Sequence, residues 1–179
     1  KMDISFIIPC LNCSNFIELT ISKLQKKLKK NNIFNYELIL IDDGSTDNTS
    51  KILKKLSSKK IRILKNSKNI GKSASLLRGI KVSKKSKIVM IDCDLPYFKY
   101  LGLVLKKLSK NEFIYINRKS KKSKLIGKNL NLYQISRFLI GRIICLVLNM
   151  FFFESNVGDT QAGLKAFIKP KNFNKIKFV

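Results

Sequence analysis

The sequence lacks histidine altogether, and it contains only 11 acidic residues against 37 basic ones. The absence of histidine excludes the commonest general base and any histidine metal site, so a metal must be bound by carboxylates or cysteines. The four cysteines give no disulfide framework, which favours a reducing cytosol. Cys10 and Cys13 have the C-x-x-C spacing of redox proteins, but no other feature of the chain supports that chemistry.

Two familiar phosphate-binding motifs are also absent. The chain has no G-x-G-x-x-G, which counts against a dinucleotide oxidoreductase, and no G-x-x-x-x-G-K-[ST] P-loop.

The longest apolar stretch, residues 138–153, is interrupted by Gly141, Arg142 and Asn149 and is too short to span a bilayer easily. With the basic loop before it, this stretch is predicted to lie on an anionic membrane surface and admit a lipid tail. The alternative is a core helix or an oligomer interface.

Positive charge is what the chain has in excess. Its 179 residues carry a net charge of +26, and 45% of them are hydrophobic, which fits a globular protein. The charge reflects either compositional drift towards Lys, Asn and Ile or an anionic partner, such as a membrane surface or a polyphosphate ligand. A nucleic-acid-binding module would bind RNA or DNA in a salt-sensitive way and would not need the acids. The sequence lacks aromatic residues interleaved on a basic sheet face, so we expect no nucleic-acid partner.

Short apolar runs alternate with amphipathic segments, which predicts βαβ units and a mostly parallel sheet. Strands are predicted at residues 3–9, 36–41, 61–64, 87–91, 113–116 and 164–168. Helices are predicted at 15–30, 47–56, 71–82 and 96–108, with a long or broken one at 130–153. Ser45 and Thr46 offer N-cap oxygens to the second helix. We expect an α/β fold in a single domain, residues 1–179, truncated at its C-terminus.

The most informative residues are acids at the ends of two predicted strands. Asp92 and Asp94 directly follow one apolar run, and Asp42 and Asp43 follow another. In open parallel sheets, ligands bind beyond the carboxyl ends of the strands. Other polar residues predicted at the same edge are Asn12 and Arg118. Four separate segments therefore converge on one edge, where a divalent metal and a nucleotide are the best candidate ligands.

Asp92 and Asp94 can approach one hard cation, because Mg²⁺ and Mn²⁺ prefer oxygen ligands and often share them with substrate phosphates. The alternative is an acidic cluster that the dipole of a following helix favours. For Asp42 and Asp43 the alternative is a turn and a helix cap, although one acid can cap while the other contacts a base or ribose. Lys72 begins a predicted helix and is either a phosphate ligand or a solvated cation.

Together these elements resemble the family 2 glycosyltransferases, which have the GT-A fold, a Rossmann-like, mostly parallel central sheet flanked by helices. The matching segments are residues 6–12, 41–47, 69–72 with 78–79, and 92–94. Residues 158–165, GDTQAGLK, resemble the D-T-Q-x-G-x-K element of polyprenyl-phosphate glycosyltransferases, especially the dolichyl-phosphate β-glucosyltransferase type. The mannosyl relatives more often carry T-S-G-F-R there, which favours UDP-glucose over GDP-mannose as the donor.

The resemblance implies an inverting transfer of a hexose from a nucleotide sugar to a polyprenyl phosphate. That acceptor is already an anion, so no strong general base is needed. The implied metal is Mg²⁺ or Mn²⁺, bound by Asp92 and Asp94. The implied catalytic residues are Asp94, Gln161 and Lys165, and the implied acceptor-phosphate ligands are Arg118 and Lys165. The implied nucleotide-sugar contacts are Pro9, Leu11, Cys13, Asp42, Asp43, Lys72, Asp92, Cys93 and Arg118.

The family's pattern also sets the expected location and the alternatives. We expect the cytoplasmic side of a membrane, with the chain peripheral or anchored by segments absent from it. Cys13 departs from the pattern, because the family usually has an acid after the residue equivalent to Asn12. The alternatives are a family 2 transferase that acts on a glycan or protein, and an inactive relative that only binds nucleotide. The sequence leaves the oligomeric state open.

Overall fold

The computed structural model describes residues 2–108, 113–116, 162–171 and 173. The chain divides into two compact units, residues 1–114 with 163–179, and residues 115–162. Of the second unit, the structure describes residues 115, 116 and 162. Arg118, Gln161 and the predicted helix 130–153 lie outside the described residues. The single domain stays a prediction.

Within the described residues, six strands form one sheet in the order β3-β2-β1-β4-β6-β5. The strands are β1 (Ile4–Cys10), β2 (Tyr36–Asp42), β3 (Ile61–Lys65), β4 (Lys87–Ile91), β5 (Phe113–Tyr115) and β6 (Leu164–Ile168). Parallel pairing joins β1 to β2, β1 to β4, and β2 to β3, while β6 runs antiparallel to β4. The predicted α/β fold with a mostly parallel sheet is confirmed.

The helices are α1 (Ile17–Lys30), α2 (Thr49–Leu56), α3 (Lys72–Val82) and α4 (Leu101–Leu108). A short 3₁₀ helix, Phe98–Tyr100, precedes α4. The prediction placed one helix from residue 96, but Leu95 and Tyr97 have φ angles of +52° and +60°, which a right-handed helix does not accept. Among the described helices, none is both long enough and apolar enough to cross a membrane.

The central strands β1 and β2 are buried on both faces, which explains their near-continuous apolar runs. All four residues from Leu38 to Ile41 are fully buried in β2. Helix α3 lies close to this sheet at Gly79, where a Cβ atom would be 2.5 Å from Ile7 Cγ2 and 3.0 Å from Ile41 Cδ1. A glycine therefore lets α3 pack closely, and the helix begins at the carboxyl edge of the sheet with Lys72.

Candidate functional site

The loops that follow β1 and β2 are joined by reciprocal hydrogen bonds. The Asn12 N–H donates to Ser45 Oγ at 3.1 Å, and the Thr46 N–H donates to Asn12 Oδ1 at 2.9 Å. Asn12 has a φ of +49°, a left-handed conformation that asparagine tolerates better than most residues. This pairing holds the two loops together at the carboxyl edge of the sheet.

The prediction that Ser45 and Thr46 cap α2 is wrong. The N-cap residue is Asn48, which makes no side-chain cap hydrogen bond. Asp47 instead accepts the Thr49 N–H at 2.9 Å on Oδ1 and the Ser14 N–H at 3.1 Å on Oδ2. Hydrogen bonds from Thr49, and then from Ser14, hold the pKa of Asp47 well below its ordinary value. Ser45 and Thr46 do not cap the helix because α2 begins at Thr49, two residues later than predicted, and both are instead bonded to Asn12.

The two adjacent acids after β2 have different surroundings. Asp42 is buried, and its Oδ1 accepts the Ser45 N–H at 2.9 Å, so it closes the turn. Its Oδ2 is buried without a hydrogen-bond partner among the described residues. Asp43 Oδ1 accepts hydrogen bonds from Asn66 Nδ2 at 2.7 Å and from the Ile70 N–H at 3.0 Å. Asp43 borders the cavity described below, whereas Asp42 does not.

Asp43 is held in its ionised form by its hydrogen-bond donors. Burial alone would raise the pKa of Asp43, but donation from Ile70, Asn66 and Ser75 lowers it below the ordinary value of 3.8. Asn66 is itself oriented, because its Oδ1 accepts a hydrogen bond from Arg78. Arg78 also donates to the Lys65 carbonyl at 2.7 Å, so it supports this cluster and does not border the cavity.

A cavity of about 430 Å³ lies at the carboxyl edge of the sheet. It is lined by Pro9, Cys10, Leu11, Asp43, Asn69, Gly71, Lys72, Asp92, Cys93 and Asp94. The predicted site residues that the structure brings together there are Pro9, Leu11, Asp43, Lys72, Asp92, Cys93 and Asp94. They come from the carboxyl ends of four strands: Pro9 and Leu11 lie at the end of β1, Asp43 follows β2, Lys72 begins the helix after β3, and the last three follow β4, as the strand-end argument predicts.

Asp92 is fixed from two directions. Lys72 Nζ lies 2.6 Å from Asp92 Oδ1 and 2.7 Å from Oδ2, so it contacts both carboxylate oxygens. The Asp92 N–H donates to the Gly163 carbonyl at 3.1 Å. A Cβ atom on Gly163 would be 2.5 Å from Asp92 Oδ2 and 2.7 Å from Pro96 Cγ, so the carboxylate occupies the space that a side chain there would need.

Asp94 differs from Asp92, because it is exposed and its carboxylate makes no hydrogen bond or ion pair with the described part of the chain. The two carboxylates lie on one loop, and that of Asp94 is available to a ligand. This arrangement fits a hard cation whose coordination shell is completed by phosphate oxygens and water. Asp92 and Asp94 would hold such an ion. Residues 2–108, 113–116, 162–171 and 173 hold no group of three or more metal-binding side chains, so a phosphate would supply further ligands.

Three cysteines cluster beside the cavity, and two of them, Cys10 and Cys93, line it. Cys13 is buried, and its thiol is within hydrogen-bonding reach of Cys10 and Cys93. The interaction with Cys10, together with burial, raises the pKa of Cys13 to about 12, and the neighbouring Cys13 raises that of Cys93. Thiols with raised pKa values are poor nucleophiles, which counts against a redox pair. Cys13 lies outside the cavity lining because it is packed inside this cluster.

Of the remaining predicted site residues, Cys13, Asp42 and Lys165 do not line the cavity, and Arg118 and Gln161 lie outside the described residues. Lys165 lies on β6, in register with Met90 of β4, and is not part of the cavity lining. Residues that sequence reasoning missed are Asn66, which orients Asp43, and Gly163, which makes room for Asp92. Both residues contact partners that are distant in the sequence. Of the two, only Gly163 stood in a recognisable sequence motif, the D-T-Q-x-G-x-K element.

The Asp43 hydrogen bonds predict a pH-dependent stability. Because its folded-state pKa is depressed, Asp43 contributes stability above its ordinary, unfolded pKa of 3.8, and this contribution is lost as pH falls through the folded-state value. We expect Asp43→Asn to lower the free energy of unfolding by about 1–2 kcal/mol at neutral pH, since it removes charge-assisted bonds. Urea unfolding of both proteins at neutral and at acidic pH measures this. The difference should shrink in acid, and a constant difference would contradict the expectation.

The sequence matches a family model described as glycosyl transferase family 2 over residues 5–158. A dolichyl-phosphate beta-glucosyltransferase from Dictyostelium discoideum is 29% identical over 181 residues, which cover 93% of this chain and 54% of that protein. The human dolichyl-phosphate beta-glucosyltransferase is 35% identical over 99 residues, which cover 51% of this chain and 31% of that protein. The chain therefore spans about half the length of the first of these relatives.

A solved structure with a similar fold is a mannosyltransferase from Pyrobaculum calidifontis in complex with GDP-Man and Mn²⁺. The alignment has a TM-score of 0.58 and 16% sequence identity, and it covers 92% of this chain and 44% of that one. At this identity the similarity bears on the fold, which is the GT-A fold.

Proposed function

The chain belongs to glycosyl transferase family 2, and from this premise we propose that it transfers a hexose from a nucleotide sugar to a polyprenyl phosphate. Glucose from UDP-glucose is favoured, because two relatives whose match covers 93% of this chain are named dolichyl-phosphate beta-glucosyltransferases. The observation that carries the proposal is the convergence of Asp43, Asp92 and Asp94 on one cavity at the carboxyl edge of the sheet.

In this proposal the base and the diphosphate of the donor contact different parts of the cavity. Pro9 and Leu11 present apolar surface, and Asp43 presents an ionised carboxylate that can accept a hydrogen bond from the base. Asp92 and Asp94 lie beside Lys72, where the diphosphate is expected. A divalent cation, when bound there, neutralises charge on the leaving diphosphate. Mn²⁺ or Mg²⁺ is proposed because both prefer oxygen ligands.

The reaction follows from the acceptor's own charge. A phosphate oxygen of the acceptor attacks the anomeric carbon of the sugar and forms a new carbon–oxygen bond. The bond from that carbon to the donor's diphosphate breaks, and its electron pair leaves with the nucleoside diphosphate. Since the nucleophile is already an anion, the chain needs no histidine base, and catalysis depends on positioning and on charge stabilisation.

Two features support an amphiphilic acceptor at a membrane surface. A second groove, of about 290 Å³, also borders Asp94, and its lining includes Phe16, Leu19, Leu95 and Phe98. The net charge of +26 would attract the chain to anionic lipids. Arg118 and Lys165 remain the proposed phosphate ligands of the acceptor, and Gln161 remains a proposed residue of the reacting centre.

Calorimetric titration of UDP-glucose and GDP-mannose, each with Mn²⁺ and with EDTA, tests the donor site. We expect UDP-glucose to bind more tightly, and EDTA to weaken its binding by about 5- to 150-fold, the usual coupling between two ligands. Transfer is then measured with polyprenyl phosphate and, separately, with a soluble glycan. Transfer to the glycan alone would reject the lipid acceptor. Absence of nucleotide binding in every condition would reject the proposed function.

A further inference from the structure

An ion pair between Lys72 and Asp92 forms part of the lining of the proposed donor site. Both residues line the same cavity, and the ammonium group lies within 2.7 Å of each carboxylate oxygen. The side chains are partly accessible, with 50% of Lys72 and 28% of Asp92 exposed. An incoming cation would therefore compete with Lys72 for oxygens that the ammonium already contacts.

The two partners differ in how freely they can move. Asp92 is confined, because its N–H is bonded to the Gly163 carbonyl and its carboxylate fills the space above Gly163 Cα. Lys72 is half-exposed at the first residue of α3, and a lysine ammonium is a compact charge on a flexible four-carbon stem. If the pair separates, Lys72 is the partner that swings away.

The ammonium group of Lys72 therefore lies beside one of the two carboxylates that are proposed to bind a metal. We propose that Lys72 is an exchangeable counter-ion of Asp92: it neutralises this carboxylate before the donor binds, and it transfers to the donor's diphosphate when metal and nucleotide arrive together. The transfer to diphosphate rests on the proposed function, whereas the pairing with Asp92 does not. Lys72 then disfavours metal alone and favours metal with nucleotide.

The consequence is a pair of effects with opposite signs. Without Lys72, Mn²⁺ alone meets a free Asp92 carboxylate and no neighbouring positive charge, so its affinity should rise about fivefold, the upper range for a partly exposed ion pair. The diphosphate, in contrast, loses a charge-assisted contact, so the affinity of UDP at saturating Mn²⁺ should fall about tenfold. If Lys72 only bound the phosphate and did not pair with Asp92, its removal would lower the UDP affinity but leave the Mn²⁺ affinity unchanged.

The experiment compares wild type, Lys72→Met and Lys72→Arg, with Lys59→Met as the matched loss of one positive charge. Lys59 is exposed in the turn before β3, at the opposite edge of the sheet. Mn²⁺ binding without nucleotide is measured from the free-ion signal in electron paramagnetic resonance, and UDP binding at saturating Mn²⁺ is measured by calorimetry. Lys59→Met should change neither affinity, and Lys72→Arg should keep Mn²⁺ binding weak.

A higher Mn²⁺ affinity together with a lower UDP affinity in Lys72→Met supports the proposal that Lys72 moves from Asp92 to the diphosphate. An unchanged or lower Mn²⁺ affinity in Lys72→Met overturns the pairing, and an unchanged or higher UDP affinity overturns the transfer to diphosphate. If the wild type binds neither UDP nor a nucleotide sugar, the proposed function fails. In that case, the Mn²⁺ measurement alone still decides whether Lys72 competes for Asp92.

Discussion

Replacing Asp94 by asparagine should leave the protein folded and reduce hexosyl transfer by about 100- to 1,000-fold. The loss is of the size seen when one group that stabilises developing charge is removed from an enzyme. Asp94 borders the cavity and makes no hydrogen bond or ion pair with the described residues, so its carboxylate is available to a metal. Because the side chain is exposed, the free energy of unfolding should change by no more than about 0.5 kcal/mol.

The measurement combines a transfer rate with an unfolding curve. Glu18→Gln is the control, since Glu18 is another exposed acid, in the first turn of α1, and it lines neither cavity. It should transfer sugar at the wild-type rate. If the Asp94 variant transfers sugar at close to the wild-type rate, Asp94 is not a ligand of the proposed metal site. A large loss of stability in that variant would show that the carboxylate has a structural partner.

Asp94 also shows why strand ends were informative in the sequence. Strand β4 lies at Lys87–Ile91, where the apolar run predicted it, and β2 extends only one residue beyond its predicted end. Apolar runs locate buried strands because both faces of a parallel sheet must be covered. Once the ends are known, the topology brings the following loops to one edge, so the position of most candidate residues could be predicted.

Contacts between loops could not be predicted in the same way. Ser45 and Thr46 look like helix caps because the local pattern matches a cap, but their partner, Asn12, lies more than 30 residues earlier in the chain. Likewise, the sequence did not indicate which of Asp42 and Asp43 would border the cavity. That choice depends on Asn66 and on the Ile70 N–H, which approach Asp43 only in the folded chain.

The three thiols illustrate a second limit. The C-x-x-C spacing of Cys10 and Cys13 is a local pattern, but Cys93 joins them only through the pairing of β1 with β4. Mutual interaction and burial raise the pKa values of Cys13 and Cys93, so these two thiols stay protonated at physiological pH. Cys13 and Cys93 therefore add no negative charge next to Asp92 and Asp94.

Gly44→Ala should lower the free energy of unfolding by about 3 kcal/mol and weaken nucleotide binding about tenfold. Gly44 has a φ of +74°, which is strained for alanine, and its Cβ would be 2.5 Å from Asn69 N and from Lys68 C. Strain of this kind costs about 1–3 kcal/mol, and overpacking adds a similar amount. Since the atoms contacted belong to the backbone, the loop cannot avoid the new methyl group by a side-chain rotation.

The new methyl group would displace the backbone at Lys68 and Asn69, and this displacement connects the loss of stability to the loss of nucleotide binding. The displaced segment carries the Ile70 N–H that donates to Asp43 at 3.0 Å, so Asp43 loses part of the support that keeps it ionised at the cavity. One such bond corresponds to about a tenfold change in affinity. Urea unfolding and UDP titration measure the two effects, with Gly102→Ala in α4 as the control.

The control separates the special backbone of Gly44 from the general effect of adding a methyl group. Gly102 is helical, and its Cβ would meet only the end of the Asn31 side chain, 3.2 Å away, so alanine there should be neutral or stabilise α4 by up to about 1 kcal/mol. If Gly44→Ala lowers stability but leaves UDP binding intact, the loop moves without disturbing Asp43. Asp43 would then recognise the base independently of the Ile70 N–H.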